Sequence, residues 1–112
     1  MTLPSEGSLL RIFIGESDRH AGMLLYEWIV RTAREQGLAG ATVLRGIEGF
    51  GAQSRVRTAK ILELSTDLPI VVEIVDTAEK IDAFLPVIES EISDGLATVE
   101  RVHIKFYRSR SQ

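Results

Sequence analysis

Two apolar runs, LLRIFI at residues 9–14 and IVVEIV at residues 70–75, are each followed by a segment whose apolar residues recur at helical spacing. This repeated strand–helix succession constrains the fold more than any other feature, because each helix must bury its apolar face against a sheet. After the first run, Leu24, Leu25, Trp28, Ile29 and Ala33 make one helical face, with Arg31, Arg34 and Glu35 away from it. Ser17 or Asp18 is the expected cap of that helix, and Gly37 its terminator. After the second run, Ile81, Phe84, Leu85, Ile88 and Ile92 repeat the pattern, and Gly95 closes it. Residues 76–79 have the form of a capping box, with Asp76 as cap and Glu79 reaching back. Pro86 inside this helix is expected to bend it by removing a hydrogen bond.

Between the two halves a second strand begins near Ala41, and strand character returns at residues 60–64. The pause at residues 65–67, followed by Pro69, predicts a bulge or bend before IVVEIV, whose unbroken apolar character suits a central strand. A last strand alternates, with Val102, Ile104 and Phe106 on one face and Arg101, His103 and Lys105 on the other. The order is β-α-β-β-α-β. Right-handed crossovers turn it into an α+β, ferredoxin-like fold, an antiparallel sheet with both helices on one face. A chain of 112 residues is expected to form one domain over residues 1–112, with an ordered core of about residues 8–107. One sheet face then lacks a helical cover, so a partner subunit is expected.

Composition excludes several classes. There is no cysteine, hence no disulfide, thiolate metal site or cysteine nucleophile. A net charge of −3 and a pI near 5.4 argue against general nucleic-acid binding. Residues 1–10 carry no basic region leading into an apolar core, and no apolar run approaches the ~20 residues of a membrane span. A soluble, cytoplasmic protein that is not membrane-inserted is the expectation. The charge is unevenly spread. Eight acidic residues and one basic residue fall between Glu73 and Glu100, whereas Arg45, Arg55, Arg57 and Lys60 surround one glycine-rich segment. A second basic group, Arg101, Lys105, Arg108 and Arg110, lies near the C-terminus.

That segment, GATVLRGIEGFGAQSR at residues 40–55, places Gly46, Gly49 and Gly51 at the end of a strand. Two readings stand side by side. The glycines permit positive φ and a bulge, or they let backbone N–H groups meet a ligand where side chains would block it. No helix starts after them, so this is not a dinucleotide fingerprint.

IFIGESDRHAGMLLYEWIV, GATVLRGIEGFGA and LSTDLPIVVEIVD, with GLATVERVHIKF near the C-terminus, resemble the PII-like family known as domain of unknown function 190 (DUF190), over about residues 9–106. The resemblance implies ferredoxin-like subunits forming a homotrimer, with ligands in clefts between neighbours, and an adenine-nucleotide sensor. True PII proteins carry a glycine-aromatic-glycine segment with a following glutamine at the end of strand two. Gly49, Phe50, Gly51 and Gln53 match it, and Gly46 precedes it. PII proteins also use an R-x-R pair on nucleotide phosphates, a form matched by Arg108-Ser109-Arg110. The nucleotide-binding residues implied are therefore Gly46, Gly49, Phe50, Gly51, Gln53, Arg108 and Arg110. Three features of PII proteins are missing, the first being the basic pair of the glycine-aromatic-glycine segment, since Ala52 and Ser54 flank Gln53. Residues 93–96, SDGL, stand where a glycine-rich phosphate loop would be, and Ile70 follows Pro69 where a lysine would be. AMP or ADP is accordingly expected rather than a triphosphate.

No catalytic constellation is visible, and a non-enzymatic function is expected. His20 and His103 have no carboxylate–histidine spacing that suggests a metal. Glu16 and Asp18 are expected to stabilise the helix start. The favoured function is a regulatory module that senses an adenine nucleotide and reports it through a mobile loop at residues 52–59 to a partner, such as a membrane transporter. The alternative is a structural or metal-responsive trimer of CutA-like architecture with no nucleotide function.

Overall fold

The computed structural model of the chain describes residues 3–51, 57, 58 and 67–110. Strand β1 (Glu6–Gly15) leads through two short strands, β2 (Arg19–His20) and β3 (Met23–Leu24), into helix α1 (Leu25–Glu35). Strand β4 (Thr42–Arg45) follows, then β5 (Glu48–Gly49) and β6 (Arg57–Thr58). Strand β7 (Pro69–Asp76), helix α2 (Ala78–Glu89) and β8 (Leu96–His103) complete the order. One sheet is ordered β4-β7-β1-β8, and each neighbouring pair is antiparallel. IVVEIV lies on the interior strand β7, as its apolar run requires. The strand expected at residues 60–64 and the loop at residues 52–59 lie outside the described residues, apart from the backbone of Arg57 and Thr58.

The core forms on one face. Leu10, Ile12 and Ile14 of β1 pair across the ladder with Ile74, Val72 and Ile70 of β7. Leu25, Ile29 and Ala33 of α1 and Ile81, Phe84 and Ile88 of α2 pack over them. All are buried, and each large aliphatic side chain contributes about 1.5–3 kcal/mol by leaving water. Trp28 packs against this core, and Gly37, at φ 82°, follows the end of α1 as the left-handed terminator.

Three local expectations are corrected. Neither Ser17 nor Asp18 caps α1. The helix starts seven residues after Asp18, at Leu25, because a hairpin turning at Ala21 (φ 49°) and Gly22 (φ 87°) intervenes. The Asp18 carboxylate accepts instead from the Gly15 amide at 2.9 Å, and its carbonyl accepts from Leu25 at 2.7 Å. For α2 the cap is Thr77, whose hydroxyl accepts from the Lys80 amide at 3.2 Å. Asp76 is the fully buried last residue of β7, and its carboxylate accepts from the amides of Thr77 (2.6 Å) and Ala39 (2.8 Å). The last strand begins at Leu96 and ends at His103, so Phe106 lies beyond it. Being an edge strand with nearly every residue exposed, it carries little of the alternation that marks a half-buried strand.

No described helix covers the opposite sheet face, and antiparallel partners place their side chains on it in rows. Leu44, Val71, Phe13 and Leu96 are successive cross-strand partners and form an apolar row across all four strands. Leu44 is 48 % exposed, Phe13 36 % and Leu96 59 %. The next row is Thr42, Glu73, Arg11 and Thr98. Here Arg11 reaches Glu73 at 2.9 Å and Glu100 at 2.6 Å. These carboxylates raise its pKa above the ordinary value, Glu73 foremost through its hydrogen bond.

The hairpin before α1 is tied to the turn after α2. The His20 ring lies on Trp28 with centroids 4.0 Å apart, and its Nε2 meets Glu91 Oε1 at 2.8 Å.

Two predictions follow from these ties. Asp76→Ala strands two backbone donors, which should cost about 2–4 kcal/mol and lower Tm by roughly 10 °C or more. Asp76→Asn keeps one acceptor and should cost about half as much; thermal unfolding of both variants is the check. The hydrogen bond from His20 lowers the Glu91 pKa below the carboxylate value. A depressed folded pKa contributes stability above the unfolded carboxylate range, near 4.3, and loses it as pH falls through the folded value. The stability difference between wild type and Glu91→Gln, measured by denaturant titration, should be present above the ordinary carboxylate range and shrink as pH falls below it.

Candidate functional site

The glycine segment starts where β4 leaves the sheet. The Gly46 amide donates to the Pro69 carbonyl at 2.7 Å. A Cβ placed on Gly46 would stand 2.9 Å from Pro69 Cγ, and one on Gly49 would stand 3.3 Å from the same atom. Among the described residues only Gly22 and Gly37 are glycines with positive φ. The expectation of positive φ in this segment is thus corrected: Gly46 and Gly49 are glycine because the root of β7 packs against them. Gly51 differs. A Cβ there would meet no described atom within 4 Å, so no described residue requires glycine at that position. Phe50 beside it is 71 % exposed and Ile47 is 77 % exposed. Gln53 lies outside the described residues.

A polar cluster fastens the root of this wall. Glu16, at the end of β1, is buried, and its Oε2 lies 2.5 Å from Arg45 Nη2. Its other oxygen accepts from the Leu68 amide at 3.3 Å, while its own amide donates to the Leu68 carbonyl at 2.8 Å. Next to it, the amide and hydroxyl of Ser17 both donate to Asp67 Oδ1, at 3.1 and 2.8 Å. The expected helix-end role of Glu16 is replaced by this one, since the helix begins elsewhere. Sequence spacing could not reveal it, because Glu16, Arg45 and Leu68 come from three distant segments.

The C-terminal arginines lie elsewhere. Beyond β8 the Tyr107 hydroxyl donates to the Ala39 carbonyl at 2.8 Å, and the Arg108 guanidinium lies 4.4 Å from the centroid of the Phe106 ring. Arg108 and Arg110 are both exposed. Ala39 is bound to Asp76, at the far end of β7 from Pro69. At about 3.3 Å per residue, the eight residues of β7 separate the glycine wall from the Tyr107 anchor by roughly 25 Å. An open cleft of about 560 Å³ lies at the tail end, lined by Thr42, Glu73, Val75, Val102, Lys105 and Tyr107 among others. The structure therefore places Gly46, Gly49, Phe50 and Gly51 together, and Arg108 and Arg110 at the opposite end of the sheet. It does not join the two groups within one chain.

The second histidine, His103, pairs with Glu6 at 3.4 Å. Among the described residues no group of three or more His, Cys, Asp or Glu side chains could hold a metal ion. No described helix is long and apolar enough to cross a membrane.

Comparison with known proteins identifies the family. The family model DUF190, described as "Uncharacterized ACR", matches residues 7–104, and the chain belongs to that family. A UPF0166 protein of Aquifex aeolicus is 43 % identical over 96 residues, covering 86 % of this chain and 90 % of the relative. A UPF0166 protein of Methanocaldococcus jannaschii is 34 % identical over 100 residues, covering 88 % and 92 %. Among solved structures, CPII of Thiomonas intermedia, a nitrogen regulatory PII-like protein bound to ADP, AMP and bicarbonate, superposes with a TM-score of 0.64. Its identity is 16 %, over 88 % of each chain. A putative PII-like signalling protein of Thermus thermophilus gives 0.64 at 22 % identity, over 88 % of this chain and 89 % of the other. At these identities the structural likeness establishes the PII-like fold.

Proposed function

We propose that this member of the DUF190 family is a PII-like regulatory protein: a homotrimer that binds ADP or AMP between neighbouring copies and reports occupancy to a partner protein. One observation carries the proposal. The glycine wall and the arginine tail stand at opposite ends of one sheet, while the helix-free face offers an apolar row by which copies can associate. A cleft that needs both groups is then completed by the wall of one copy and the tail of the next. The ADP and AMP bound to the Thiomonas protein of the same fold support the choice of ligand.

Each group has a part. The exposed ring of Phe50 offers a face on which an adenine stacks. Gly46, Gly49 and Gly51 bring no side chain between their backbone and a phosphate, and Gln53 supplies an amide from the same segment. Arg108 is held by its contact with Phe106 and, with Arg110, presents planar donor forks suited to phosphate oxygens. No step of covalent chemistry is assigned to the site; its output is binding. The segment at residues 52–59 is our candidate for contact with the partner, which we place in the cytoplasm or on the cytoplasmic side of a transporter.

Light scattering should give three times the chain mass of 12.4 kDa. A stable monomer at micromolar concentration would remove the shared cleft. Calorimetry with ADP should show Arg108→Ala/Arg110→Ala binding roughly a hundredfold or more weaker, since each charge-assisted bond contributes about 1.5–3 kcal/mol. Melting of the free protein should barely change. Arg31→Ala/Arg34→Ala, on the exposed side of α1, should bind as wild type does. Equal affinities in the two double variants would show that the tail takes no part.

A further inference from the structure

Glutamate is rarely buried unless it is paired, and Glu16 is buried beside the wall with a side chain only 10 % exposed. Its partner Arg45 immediately precedes Gly46 and keeps 60 % of its side chain exposed. The arginine therefore stands at the edge of the glycine wall with its Nη2, a nitrogen common to both bidentate edges of the guanidinium, held by the carboxylate. A carboxylate and a phosphate oxygen pair compete for the same planar fork. Glu16 thus occupies, from within the chain, the cation that an incoming phosphate would meet first.

We propose that Glu16 is a resident stand-in for the ligand's phosphate, holding Arg45 in the empty protein and yielding it to the nucleotide when the site fills. This rests on the reading that nucleotide phosphates lie at the glycine wall, and it adds the means by which occupancy is sensed. Once Arg45 turns to a phosphate, Glu16 is left as a buried charge without its counter-ion, an unfavourable state. It turns toward water, and the Leu68 amide loses its acceptor. Leu68 and Asp67 form the root through which the chain enters β7, and the Glu16 amide and Ser17 then hold it to the end of β1 without the carboxylate's bond. Ligand arrival at one root of the segment between Gly51 and Asp67 thereby loosens the other root. Exchange of partners at Arg45 is feasible because the arginine is solvent-exposed, where ion pairs are weak.

The test is Glu16→Gln, titrated by calorimetry with ADP, pyrophosphate and adenosine. Glutamine keeps the shape and an acceptor for Leu68 but gives up the charge that holds Arg45. The variant should bind ADP and pyrophosphate about tenfold more tightly, the scale of one solvent-exposed charge-assisted bond, with adenosine unchanged. The gain should vanish in Glu16→Gln/Arg45→Ala, which separates competition for Arg45 from a general loss of negative charge. In wild type, hydrogen exchange at the Leu68 amide should speed up when ADP binds, and this measurement does not depend on a variant folding. Weaker or unchanged anion binding by Glu16→Gln, or a gain that persists without Arg45, would overturn the proposal. So would ADP binding to wild type with slower or unchanged exchange at Leu68, and either result leaves the nucleotide reading standing. Pyrophosphate binding with the Glu16 effect, but without ADP or AMP binding, would sustain the stand-in and sink the nucleotide reading. Binding of no anion would sink both.

Discussion

Eight residue pairs between β1 and β7, from Ser8–Asp76 to Gly15–Pro69, set the register on which the remaining structure depends. A slip of one residue would turn one strand over relative to the other, opposing Ile12 to Glu73 or Arg11 to Val72 and so putting a charge into the core while exposing an aliphatic side chain. With the register as it is, one face collects the aliphatic side chains that the helices cover. The other collects the apolar row from Leu44 to Leu96 and the polar row around Arg11. The ends of the same ladder locate the candidate site. Gly15 opposite Pro69 brings Glu16 to Leu68 and the glycine wall, while Ser8 opposite Asp76 brings Ala39 and the Tyr107 anchor to the other end.

What could be read in the sequence was what rests on short-range periodicity. The interior strand IVVEIV, the apolar faces of both helices and their attachment to one side of a sheet all follow from spacings of two and of three or four residues. DUF190 membership and the PII-like fold were legible in the long motifs around Gly49 and Pro69. Features set by contacts distant in sequence were not. The caps failed because a hairpin displaced α1 and because Asp76 was wanted in the interior, where two amides need its carboxylate. The start of β8 was missed because an edge strand exposed on both sides lacks a binary pattern. Gly46 and Gly49 looked like a ligand's clearance, yet their first constraint is Pro69, on a strand far along the chain. Glu16 resembled a helix-end carboxylate, and only the fold puts Arg45 against it.

These placements give a consistent division of labour. The helix-covered face holds the buried aliphatic core and with it the stability of the subunit. In the proposed trimer the helix-free face is the one that associates, with Arg11 satisfied by carboxylates of its own chain so that covering the face strands no lone cation. Under the same proposal the two ends of the sheet would each supply half a site: the glycine wall with its Arg45–Glu16 pair at one end, and the two C-terminal arginines near an open cleft at the other. A protein built from such halves binds only when assembled, and a change at the wall of one copy is felt where the tail of its neighbour docks. In a closed ring every wall meets one tail, and no half-site is left over.

The most direct test of this division is complementation between two defective chains. One carries Phe50→Ala/Gly51→Val and lacks the wall; the other carries Arg108→Ala/Arg110→Ala and lacks the tail. Each alone should bind ADP only weakly. Refolded together in equal amounts, the chains should recover wild-type affinity in about a quarter of the clefts, since half of the walls and half of the tails are intact and they combine at random around a heterologous ring. Calorimetry of the mixture reads that fraction as a binding stoichiometry. Recovery near a quarter would mean that the site is shared between copies. A mixture that binds no better than its two components would mean that wall and tail never meet across an interface.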